Sequence, residues 1–175
     1  MRLTAFIAAG ILLGPTLAQA AAPESERPAC PAVAAPAPAP WSGWADKAAV
    51  ESAAGAAALP GAAAAPNRAY AVGLHPTRSV DYVAQPEKPG GSVAFGGMVS
   101  LTVDRAGVYR VGLDSGAWID VLKDGTALVS TAHAPGPACT GVRKTVDFAL
   151  QPGRYVVQVS ANASPKLGLM IVRLP

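Results

Sequence analysis

VSLTVDRAGVYRVGL, residues 99–113, decides the fold. Val99, Leu101 and Val103 alternate with Ser100, Thr102 and Asp104, and Tyr109, Val111 and Leu113 alternate with Arg110, Gly112 and Asp114. An extended strand sends successive side chains to opposite faces, so period-two alternation marks a half-buried antiparallel strand. Arg105-Ala106-Gly107 makes the tight connection between the two runs.

The same alternation extends in both directions. Upstream, Tyr70, Val72 and Leu74 alternate with Ala71, Gly73 and His75. Downstream, Val142, Lys144, Val146, Phe148 and Leu150 share a face, and Tyr155, Val157 and Val159 repeat the scheme. LGLMIVRL (167–174) is apolar on both faces and predicts a central or well-covered strand. Asp124-Gly125 between AWIDVLK and TALVSTA is a hairpin signal, and Pro152-Gly153 suits a type II turn. AGVYRVGL (106–113) and PGRYVVQV (152–159) share a Gly-x-Tyr-x-Val spacing, as two equivalent strand starts would. The expected fold is an all-β, antiparallel, jelly-roll-like β-sandwich of eight or nine strands over residues 68–175.

The N-terminal third differs in composition. Met1-Arg2, an uncharged run from Leu3 to Leu17 and Ala18-Gln19-Ala20 predict a signal peptide over residues 1–20. The run is too short for a membrane span. An exported protein, periplasmic or secreted, is therefore expected, with cleavage before Ala21. Residues 21–67 form an Ala/Pro-rich linker, extended where proline dominates. Ala, Glu and Lys predict a short helix from about Trp44 to Ala58, interrupted by Gly55.

The net charge is +3, but the basic residues are scattered and only Arg143-Lys144 are adjacent among those of the folded part. Nucleic-acid surfaces need a basic stripe, so a nucleic-acid partner is not expected. Cys30 and Cys139 are the two cysteines, and an even count in an exported chain predicts a disulfide.

Two resemblances follow from these motifs. VSLTVDRAGVYRVGL, AWIDVLKDGTALVST, VRKTVDFALQPGRYVVQVS and LGLMIV together resemble the bacterial pre-peptidase C-terminal domain over about residues 98–174. That resemblance implies a secreted β-sandwich accessory module. LHPT (74–77), PEKPGGSVAFGG (86–97), SGAWIDV (115–121) and HAPGPACTGVRK (133–144) are similar to segments of short exported sphingomonad-type proteins, often labelled homogentisate 1,2-dioxygenase. The cupin-type iron site of that enzyme needs a close His-x-His pair with a carboxylate, and His75 and His133 form no such pair.

Candidate sites are few. His75 and His133 are the only imidazoles, and with Asp120 they are the candidate ligands of a divalent metal. Asp114, Asp124 and Asp147 would extend Asp120 into a calcium cluster, although hairpin and turn positions account for Asp114 and Asp124. Asp120 lies inside an apolar strand and needs a partner if buried, for which Arg110 or Lys144 would serve. Trp118, Trp41 and Trp44 are the candidate ligand surface for a carbohydrate or envelope component; equally, Trp41 and Trp44 would cover Trp118. PEKPGGSVAFGG is a shaped surface loop of the kind that carries binding function, and no G-x-S-x-G elbow is present. HAPGPACTGVRK predicts a loop fixed at Cys139, with VRK beginning the next strand. The expected function is noncatalytic binding or envelope interaction, without a cofactor; the alternative is a small metal-binding protein or metal-dependent enzyme using His75 and His133.

Overall fold

The computed structural model describes Cys30 and residues 36–175. The signal peptide expected at 1–20, and residues 21–35 apart from Cys30, lie outside the described residues. In chain order the strands are β1 (Ala48–Glu51), β2 (Ala63–Ala64), β3 (Ala69–Gly73), β4 (His75–Pro76), β5 (Phe95–Val103) and β6 (Gly107–Leu113). They continue with β7 (Trp118–Lys123), β8 (Thr126–Ala127), β9 (Ala132–Pro135), β10 (Lys144–Leu150), β11 (Gly153–Asn162) and β12 (Lys166–Arg173). Short 3-10 turns occupy Ala56–Gly61 and Thr77–Ser79.

Two sheets pack as an all-β sandwich. The first runs β1-β3-β12-β6-β10-β9; the second runs β2-β5-β11-β7-β8, with β4 also on β5. The alternating residues meet between them: Val99, Leu101, Val111, Leu113, Phe148, Val157 and Leu169 are all buried in one cluster. Burying a side chain such as Phe148 or Leu169 stabilises the fold by about 1.5–3 kcal/mol.

Two of the changes of sheet, β5→β6 and β10→β11, are built alike. Each crossing starts with a glycine at positive φ, Gly107 and Gly153. Each is then fastened by a tyrosine two residues on. Tyr109 Oη donates to Arg105 O at 2.9 Å, and Tyr155 Oη donates to Gln151 O at 2.8 Å. These are two equivalent tyrosine corners, and they account for the shared Gly-x-Tyr-x-Val spacing. The Asp124-Gly125 hairpin is also present: Lys123 pairs with Thr126, and both turn residues have positive φ, as a type I′ turn requires.

β12 is central to its sheet, between β3 and β6. Leu167, Leu169 and Ile171 face the main core. Met170 and Val172 face outward, under Trp41 and Trp44, with Ala69 and Val142. Trp41 and Trp44 are 2% and 4% exposed and meet edge to face. Gly112 makes room for Trp41, since a Cβ there would enter the indole ring. Cys30 and Cys139 form the expected disulfide, with Cα atoms 5.2 Å apart; Cys30 lies upstream of the strap formed by residues 36–44, which carries the two tryptophans.

Several expectations require correction. The helix from Trp44 to Ala58 does not form; Ala48–Glu51 is a strand parallel to β3, followed by the first 3-10 turn. An alanine face buries little area against a core, whereas the free edge of β3 offers backbone partners to an extended segment. The sandwich therefore begins before residue 68, and Trp41 onward is not a linker. The sheets are mixed rather than wholly antiparallel, because β1–β3 and β2–β5 are parallel. Among the described residues there are twelve strands rather than eight or nine; the additional ones are the short β1, β2, β4 and β9. His133 belongs to β9 and pairs with Val146, rather than to a loop.

Candidate functional site

The side chains of Trp118, Asp120 and Leu122 leave β7 on the face opposite Ile119 and Val121, which enter the core. β8 pairs only with Leu122 and Lys123, and Leu128 N donates to Val121 O. The edge of β7 from Trp118 to Asp120 is thus left without a neighbouring strand. A groove of about 650 Å³ opens there, lined by Trp118, Ile119, Asp120, Lys144, Val146 and Phe148, with Ala84, Gln85 and Glu87 on one side and Leu128–Ser130 and His133 on the other. It occupies the mouth between β7/β8 of one sheet and β9/β10 of the other.

The lining loop is held in place by buried polar side chains. Gln158 Nε2 donates to Ala84 O, and Ala84 N donates to Gln158 Oε1. Ser160 Oγ donates to Lys88 O at 2.8 Å. Gln158 and Ser160 are both almost fully buried on β11, so they fix the loop rather than solvate it. From across the mouth, Lys144 Nζ donates to Ala117 O at 2.8 Å.

Charge converges on one indole. Lys88 Nζ lies 4.9 Å and Lys144 Nζ 5.5 Å from the centre of the Trp118 ring. Trp118 Nε1 donates to Asp120 Oδ1 at 3.0 Å. Burial holds the Asp120 carboxyl above its usual range; the Trp118 hydrogen bond opposes this, and Glu87 adds to it. Burial, reinforced by Lys88, lowers the Lys144 ammonium below its usual range. Like charges are neighbours here: lysine beside lysine, carboxylate beside carboxylate. Among the described residues the one ion pair within 4 Å is Arg110 with Asp147, so neither lysine has a carboxylate partner.

The other expected site residues are dispersed. Arg110 grips Asp147 with two bonds of 2.7 and 2.8 Å on the first sheet. It is therefore not the partner of Asp120, which bonds Trp118 instead. Asp114 accepts from Gly168 N, and Asp124 sits in its hairpin, so the aspartates form no cluster. His75 stands on β4, and its Nε2–H donates to Ser52 O at 2.8 Å. His133 lies on β9 in the other sheet, at the groove, which His75 does not line. The two imidazoles are not brought together. Among the described residues no three His, Cys, Asp or Glu side chains are grouped so as to hold a metal ion.

Trp41 and Trp44 do not cover Trp118; they are buried on the far sheet. Nor does Trp118 offer a bare ring to a sugar, since two ammonium groups already stand over it. Lys88 and Glu87 were not singled out from sequence, although the loop that carries them was. A lysine in a glycine-rich loop has no local signature of a site. No protein-family model and no curated protein matches this chain.

Proposed function

We propose that this protein is a noncatalytic, exported binding module of the cell envelope, and that its ligand seats in the groove around Trp118. One observation carries the proposal. The loop 84–88 is pinned by buried Gln158 and Ser160 so that unpaired lysines and a half-buried carboxylate converge on one indole at an open strand edge. Fixed polar groups over an apolar floor are the general form of a binding site. Export is supported by the disulfide, which persists in oxidising compartments.

The test uses the indole N–H signals of the three tryptophans in a 15N-labelled protein, with Trp118 assigned from Trp118→Phe. A solubilised envelope polysaccharide fraction is expected to shift the Trp118 signal and the amides of 84–88 and 130–133, leaving Trp41 and Trp44 unmoved. Shifts confined to other surfaces, or none, would refute the proposal.

A further inference from the structure

Resting on the reading of the groove as a binding site, we infer that its ligand is an acidic oligosaccharide of the uronic-acid type. Its carboxylate would lie between the ammonium groups of Lys88 and Lys144, and its hydroxyls would donate to Asp120.

Three features of the groove lead there. First, the two ammonium groups approach the same ring from 4.9 and 5.5 Å without a carboxylate partner among the described residues. Lys144 spends one of its three donors on Ala117 O and is half-buried. A ligand anion relieves that repulsion and forms charge-assisted hydrogen bonds, which are about twice as strong as neutral ones. Second, acidic groups also border the indole. Asp120 accepts one bond from the Trp118 Nε1–H and lines the groove, as does Glu87. Acceptors of that kind need donors from the ligand, which a bare anion such as phosphate supplies poorly. A sugar ring bearing both a carboxylate and hydroxyls presents anion and donors within the width of one residue. Third, the groove is open along the strand edge at Ile119, which pairs with Val159 on β11 but has no partner on its β8 side. Such an edge admits a chain of sugar residues and offers backbone groups to their hydroxyls.

Stacking does not drive this recognition. The cations stand where a neutral sugar would lie on the indole, so uncharged glycans are disfavoured and acidic ones favoured by the same arrangement.

The experiment titrates the full disulfide-bonded chain with a tetragalacturonate, its methyl ester, a neutral malto-oligosaccharide and inorganic phosphate, following the Trp118 indole signal and the heat of binding at low and high salt. The acidic sugar alone is expected to bind, more weakly at high salt. Lys88→Gln and Lys144→Gln are each expected to lower affinity about tenfold, the loss of one charge-assisted contact. Lys88 is exposed, so Lys88→Gln carries the test should Lys144→Gln impair folding. Equal binding of the ester or the neutral sugar would overturn the acidic assignment while leaving the groove as the binding site. Binding of phosphate alone would overturn the sugar. If none of these binds, the acidic-sugar inference fails; the envelope polysaccharide fraction then decides whether the groove reading falls with it.

Discussion

Tyr155 binds the backbone of Gln151 twice: its hydroxyl donates to the carbonyl at 2.8 Å and accepts from the amide at 3.0 Å. Tyr109 makes one such bond, to Arg105 O. Tyr155→Phe leaves two backbone groups to find other partners and Tyr109→Phe leaves one. Losses of about 1–3 kcal/mol for Tyr155→Phe and about 1 kcal/mol for Tyr109→Phe are expected from the cost of unmade hydrogen bonds. Urea unfolding measures both, and an equal effect at the two corners would contradict the bond count.

Trp41 closes the outer face of β12 by lying on Gly112. Trp41→Ala is expected to cost about 3–5 kcal/mol, the usual range for removing a large buried aromatic. Gly112→Ala should expel the same ring from its seat. If so, adding Gly112→Ala to Trp41→Ala costs far less than it does in the wild type. An additive double variant would show that the two are not coupled.

The disulfide joins Cys30 to Cys139 across 109 positions. In the chain-entropy account, a loop of that length contributes about 4–5 kcal/mol by restricting the unfolded chain. The Cys30→Ser, Cys139→Ser double variant should therefore unfold at clearly lower urea. Its 15N spectrum should still show Trp41 and Trp44 in their buried environments, because their packing does not depend on the sulfurs. Loss of those two signals would mean that the covalent bond, rather than packing, holds the strap.

Asp120 should leave a signature in pH. Burial raises its folded-state pKa above the unfolded value of about 3.9, so the folded protein takes up this proton more readily. The resulting stabilisation is fully present below the unfolded pKa and is lost as pH rises through the raised one. Asp120→Asn, which keeps an acceptor for Trp118, should abolish that dependence. Relative to wild type, the variant is expected to gain stability on going from pH 3 to pH 7. A difference between the two proteins that does not change with pH would contradict the assignment.

The elements legible in sequence were those whose faces differ. Val99/Leu101/Val103 and Tyr155/Val157/Val159 announced their strands because one face is apolar and the other polar. LGLMIVRL announced a covered strand because both faces are apolar, and β12 is covered on both. Ala48–Glu51 was illegible because alanine distinguishes no face; the edge hydrogen bonds of β3 decide its conformation, and those belong to a segment further along the chain. The groove was half legible. Trp118 and Asp120 stand out within AWIDVL, and PEKPGGSVAFGG stands out as a loop. That Lys88 and Lys144 meet over the same indole depends on how two distant segments are laid across opposite sides of the β7 edge. No local pattern records that. The pairing of Arg110 with Asp147 was missed for the same reason: it is set by the register of β6 against β10.

The central place of β12 has a consequence for how the chain is made. A chain leaves the ribosome N-terminus first, so β12, which completes the first sheet, follows every other described strand. Until residues 166–173 arrive, β3 and β6 lack their shared neighbour, and Trp41 and Trp44 lack Met170 and Val172 beneath them. Closure of the first sheet therefore waits on β12, as expected where contacts join distant parts of a sequence. Deleting residues 166–173 would remove the middle of a sheet.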